Sequence, residues 1–262
     1  MSRVSRVSAP LSRGYVAAAA TAVAAMIATP LARPRGSTRR TLSSVVVASL
    51  FIATTIRVAQ RWGPRRAVTA AGAIAVATAA VERVGTHTGL PFGRYGYTEA
   101  LRPQVAGVPV IVPLAWFAMA VPARETAHAA LGHHSTAVGR VVLGSAALTA
   151  WDLFLDPQMV GEGYWRWVRR GAYRGIPVSN FVGWFATGLG VMAALELMLP
   201  TDDPDPRPDP VLVGQYTYMG VMETLGFAAF FRDRTVAAVG GAAMLPVAAV
   251  AVHRLWSWRH WR

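Results

Sequence analysis

The chain has 262 residues, 53% of them hydrophobic and only 15% charged, with 26 basic residues against 13 acidic ones and a net charge of +13. That is too apolar for an ordinary water-soluble domain, and the apolar residues fall in blocks of roughly 17–21, about the helix length that crosses a ~30 Å hydrocarbon core. The basic residues are all arginine and lie in the connections between blocks, which argues against a nucleic-acid surface and for headgroup anchoring; with no cysteine, disulfides and thiol chemistry are excluded.

The expected fold is an all-α, polytopic transmembrane helical bundle of about eight spans, or seven if one apolar run does not cross. A basic tail, residues 1–13, carries Arg3, Arg6 and Arg13 and precedes an Ala-rich run from Gly14 to Leu31. The pair resembles a signal peptide, but the spans that follow favour an uncleaved first helix. After Arg33, Arg35, Arg39 and Arg40, a second span runs over 41–56 and is closed by Arg57, Arg61, Arg65 and Arg66. The third, 67–84, holds Glu82 near its end, which reads equally as a solvated pair with Arg83 or as a group inside the bundle.

The connection over 85–107 is too rich in Gly, Pro and aromatics for a plain hydrophilic loop, and its Tyr95 and Tyr97 suit headgroup depth. A fourth span, 108–123, contains Pro109, Pro113 and Trp116. His128, His133 and His134 follow in a connection where no carboxylate or cysteine completes a set, so no metal site is read there. The fifth span, 137–155, carries Asp152 and reaches Asp156 before Pro157, a helix breaker, stops it. The sixth, 181–199, has Trp184 near its start and an interfacial Glu196 near its end.

The acidic, Pro-rich TDDPDPRPDP (201–210) cannot continue a helix. The seventh span, 211–231, places Glu223 well inside an apolar run, where an ionisable group costs about 2.5–3.5 kcal/mol and needs a partner or a function. The eighth, 236–252, ends in a tail, 253–262, whose Trp256, Trp258 and Trp261 form an interfacial anchor. Residues 14–252 thus read as one transmembrane domain of a multi-pass protein of the cell membrane. Arginines divide almost evenly between the two sides, so orientation does not follow from charge.

Four acids stand out. Asp152 and Asp156 are four apart and share one helix face, Glu223 lies on another span and Glu82 on a third. Away from lipid they belong together, and in a low-dielectric site two neighbouring carboxyls resist double ionisation, leaving one protonated. A neutral acid beside an ionised neighbour suits proton donation and water activation, as in the acid-catalysed addition of water to an alkene. The resulting tertiary cation could face Trp116, Trp151 or Trp184, a contact worth up to about 2 kcal/mol when desolvated, although helix packing alone accounts for any one tryptophan.

The strings PFGRYGYTEALRPQVAGVPVIVPLAW (91–116), AWDLFLDPQMV (150–160), GYWRW (163–167) and GAYRGIPVSNFVGWF (171–185) carry a resemblance. They resemble the CruF-type carotenoid 1,2-hydratase family of integral membrane proteins, densely over about 82–190. The resemblance implies hydration of the terminal C1=C2 bond of an acyclic carotenoid end (lycopene-, γ-carotene- or bisanhydrobacterioruberin-like) to a tertiary 1-hydroxy group. It implies no cofactor. The partners are then the carotenoid, water, membrane lipid and other carotenoid biosynthesis enzymes, with no nucleic acid.

Residue roles come from the reading above: Asp152, Asp156, Glu223 and Glu82 as catalytic acids, and Trp116, Trp151, Trp184, Tyr97, Asn180 and Phe181 around the substrate. A proton-coupled transporter also uses intramembrane carboxylates but would show inverted repeats or broken helices, and none stands out. A non-catalytic carotenoid-binding protein has little need for acids on three spans.

Overall fold

A computed structural model describes residues 12–202 and 206–260, the side chains of 258–260 excepted. The N-terminal tail with Arg3 and Arg6, and the side chains of Trp258 and Trp261 in the expected anchor, lie outside the described residues. Eight α-helices make up the described chain: α1 (Arg13–Ala28), α2 (Ser37–Trp62), α3 (Pro64–Thr88), α4 (Ile111–Leu131), α5 (Ala137–Glu162), α6 (Val178–Met198), α7 (Pro210–Ala229) and α8 (Arg234–His260). The chain is an all-α polytopic membrane protein.

The eight helices match the number of spans expected; six of them are long and apolar enough to cross a bilayer on their own composition, and α4 and α7 are not among those six. The physical reason is clearest for α4, which packs against α2, α3, α5, α6, α7 and α8. Sheltered by its neighbours, it is buried through Arg124, Glu125 and His128, so its polar groups meet protein. His128 therefore sits in a helix, not in the connection expected from the sequence. Around this centre the outer faces expose Val68, Val76, Val138, Leu197 and Leu225, an apolar exterior suited to lipid.

The second correction concerns Pro157, which lies inside α5 and does not end it. Proline removes the N–H that would bond the carbonyl four residues back, here Leu153, and an orphan carbonyl in an apolar bundle is costly. The Tyr173 hydroxyl donates to that Leu153 oxygen at 2.8 Å, and the helix continues to Glu162. Pro122 in α4 is accommodated in the same way: the Ala118 oxygen it frees accepts from Thr54 Oγ1 at 3.2 Å and Gln215 Nε2 at 3.1 Å.

A compensating pair of substitutions tests this account. Tyr173→Phe is expected to cost about 1 kcal/mol of stability by stranding the carbonyl. Adding Pro157→Ala, which restores the missing N–H, is expected to recover it. Thermal unfolding midpoints of the single and double variants in detergent check the result.

The segments between helices are not plain loops. A strand pair forms between β1 (Tyr95–Tyr97) and, far along the chain, β4 (Trp165–Trp167), antiparallel with Tyr95 opposite Trp167 and Tyr97 opposite Trp165. Strand residues alternate in direction, so the aromatic positions 95, 97, 165 and 167 share one side, while Gly96 and Arg166 are exposed on the other. A small hairpin, β2 (Gln104–Val105) with β3 (Val108–Pro109), occupies what the sequence suggested was the start of the fourth span. The aromatic pair covers the bundle end that holds the acids.

Candidate active site

Asp152 and Asp156 lie one turn apart on α5 and are both buried. Asn180, in the first turn of α6, places its single amide nitrogen between them. It donates to Asp152 Oδ2 at 2.8 Å and, in a shorter contact, to Asp156 Oδ2. Trp165 Nε1, brought in by β4, donates to Asp156 Oδ1 at 3.0 Å. Asp156 thus accepts two hydrogen bonds and Asp152 one, and Asp152 Oδ1 has no partner among the described residues.

Glu82 reaches the same cavity from α3 and is 4% exposed, which removes the reading of a solvated pair with Arg83. Its Oε2 accepts from the hydroxyls of Tyr95 and, at 2.7 Å, Tyr97; its Oε1 accepts from Trp116 Nε1 at 3.1 Å. Burial first, and the neighbouring Glu82 charge second, push both tyrosines above the ordinary phenol value. Both therefore remain donors at neutral pH. Both oxygens of Glu82 are thus held as acceptors.

Above these groups the rings of Trp116 and Trp184 stack, with centroids 3.9 Å apart and planes 12° apart, and Trp151 meets Trp184 edge-on at 6.1 Å. Trp184 follows Asn180 by four residues, so one face of α6 supplies both the aspartate bridge and an aromatic wall. The cavity enclosed here is about 70 Å³ and is lined by Glu82, Asp156 and Asn180 together with Trp116, Trp184 and Tyr97. It can hold a short branched hydrocarbon end beside the stacked tryptophans, with carboxyls at its wall.

Three of the four expected acids converge. Glu223 lies apart, half-buried, on the wall of a neighbouring cavity of about 250 Å³ that also includes Trp151. Phe181 packs edge-on against Tyr173, with ring centroids 5.8 Å apart, and lines neither cavity. Reasoning from sequence missed Tyr95 and Trp165 as donors to the acids, and Trp167, Tyr164 and Ser43 as cavity walls. The signal for three of them, Tyr95, Trp165 and Trp167, was the alternation in YGY and WRW, which marks two short strands each with an aromatic side.

Several charged residues fall elsewhere than expected. Arg166, Arg169, Arg170 and Arg174 are exposed, as a surface role requires. By contrast Arg57, Arg61 and Arg124 are buried, and Glu196, expected at the interface, pairs with Arg124 at 2.6 Å and Arg140 at 2.5 Å.

A family model described as carotenoid biosynthesis protein matches residues 41–252. Bisanhydrobacterioruberin hydratase of Haloarcula japonica is 34% identical over 127 residues, 47% of this chain and 43% of that protein. The chain thus aligns with less than half the length of that curated relative. No solved structure matches.

Proposed function

This chain belongs to the carotenoid biosynthesis protein family, and from that premise we propose that it adds water across the terminal C1=C2 bond of an acyclic carotenoid end in the cell membrane. The observation that carries the reading is the Asn180-bridged aspartate pair, which opens onto a cavity walled by two stacked tryptophans and a third carboxyl. The relative named as a hydratase supports the same reaction class.

Asp156, which lines the cavity, gives a proton to C2, and Asp152 behind it positions that acid through the Asn180 amide they share. The tertiary cation at C1 lies against the Trp116–Trp184 stack, whose outer ring face carries negative electrostatic potential. Glu82, fixed in place by Tyr95, Tyr97 and Trp116, orients the attacking water and takes up its proton, which returns to Asp156. Alkene and water sum to the alcohol with no change in oxidation level, so the reaction itself calls for no organic cofactor.

Expression in a lycopene-producing host tests the reading. Pigments gaining the mass of one water per modified end support it, whereas pigments of unchanged mass would leave only a binding role. Trp184→Leu, at matched protein level, is expected to lower turnover about thirtyfold, the equivalent of about 2 kcal/mol of cation stabilisation, while Trp184→Phe retains most of it. Initial rates of hydroxy-pigment formation in isolated membranes measure both.

A further inference from the structure

A long, stiff polyene has to lie somewhere while its end reacts, and the catalytic cavity cannot contain it. At about 70 Å³ it is smaller than the engineered space of about 150 Å³ that accommodates benzene. The neighbouring cavity is larger, about 250 Å³, and is enclosed by α1, α2, α5 and α7. Ser43, Val47, Leu155 and Met159 line both, so the two spaces share a wall, and Leu155 on that wall is next in the chain to Asp156.

Two further features give the larger cavity its character. Met26, Met159, Met219 and Met222, four of the chain's nine methionines, lie on its wall. Unbranched, polarisable thioether side chains fit themselves to an apolar ligand better than branched ones do. At its rim Ile27 and Leu31, from the end of α1 and the turn after it, face Leu225 and Phe230 from the end of α7. All four line the cavity yet are 52–71% exposed. In a membrane protein, exposed aliphatic side chains on the outer face meet lipid, so the opening is lateral.

Building on the proposed hydration, we propose that this second cavity is the binding site for the polyene body, which slides in sideways from the lipid between the ends of α1 and α7. The chain then passes Met159 and Leu155 and presents its terminal alkene to Asp156. Glu223, on the wall of this cavity, meets the body of the polyene instead of its reacting end.

Gly226 offers a place to plug it. A Cβ there meets only the Phe231 ring, at 3.6–3.8 Å, so Gly226→Leu has ordinary contacts at its base and extends into the cavity. Ile27→Trp narrows the rim from the other side and, being at an exposed position, keeps the test open should the first variant fail to fold. The full chain in detergent is given either lycopene or 2-methyl-2-pentene, a short alkene with the same branched terminus. Bound lycopene is read by visible absorbance of purified protein, also in the Asp156→Asn background.

Both plugging variants are expected to lower lycopene binding and hydration about tenfold or more, with hydration of the short alkene within about twofold of wild type. Undiminished lycopene binding, or an equal loss with both substrates, would overturn the inference. If the wild-type protein hydrates neither alkene while plugging still abolishes lycopene binding, the proposed reaction fails and the binding site stands.

Discussion

Asp156→Asn is expected to leave the polyene end unhydrated, with turnover reduced by about 10²–10⁴, the usual contribution of a positioned general acid. The substitution is nearly isosteric and keeps one oxygen to accept from Trp165 Nε1, while its NH2 replaces the oxygen that accepts from Asn180. What is lost is the acidic proton at the cavity wall. Asp152→Asn is expected to lose less, because Asp152 does not line the cavity and acts through the Asn180 bridge. Pigment mass and protein level, measured together in a lycopene-producing host, decide it. Full hydroxylation by both variants would remove the aspartates from the mechanism.

Asp209→Ala is expected to destabilise the protein by about 3–5 kcal/mol, the usual cost of breaking a buried ion pair by removing one member. Asp209 pairs with Arg57 at 2.8 Å, and both side chains are buried. Its Oδ1 also caps α7 by accepting from the N–H groups of Val211 and Leu212, and its own N–H donates to Glu125 Oε2 at 2.7 Å. Glu125 in turn faces Arg61 at 3.4 Å and Arg124 at 3.5 Å, and Arg124 continues the chain of charges to Glu196.

The network ties α2, α4, α5, α6 and the start of α7 at the bundle end away from the aspartates. Along α6 the twelve residues from Trp184 to Glu196 span roughly 18 Å. Asp209→Asn keeps a capping oxygen while losing the charge, so its loss is expected to be intermediate. Thermal unfolding of the purified variants in detergent orders the three proteins, and an unchanged midpoint for Asp209→Ala would show that the network does not hold the bundle together.

The candidate site was partly legible. Asp152 and Asp156 stand out because charges are costly in apolar runs and because a spacing of four fixes their common face. Both facts are local. Asn180 and Trp184 share a face for the same reason, and the structure adds that this face turns toward α5. Glu82 was ambiguous because a carboxyl near a helix end beside an arginine has the same local pattern whether it meets water or protein. Glu223 shows the opposite limit, since its depth in an apolar run was readable but its cavity was not.

By itself the sequence determined the membrane class, the helices and the helical faces that carry acids, since hydropathy and the 3.6-residue period act over a few turns. Only the tertiary structure decided which faces meet. The pairing of YGY with WRW across the whole of α4 and α5, the Tyr173 hydroxyl that lets α5 run through Pro157, and the burial of Arg57, Arg61 and Arg124 all depend on residues distant in the chain. An arginine at a headgroup and one in a buried ion pair have the same sequence neighbourhood, and their partners, supplied by other helices, determine which it becomes.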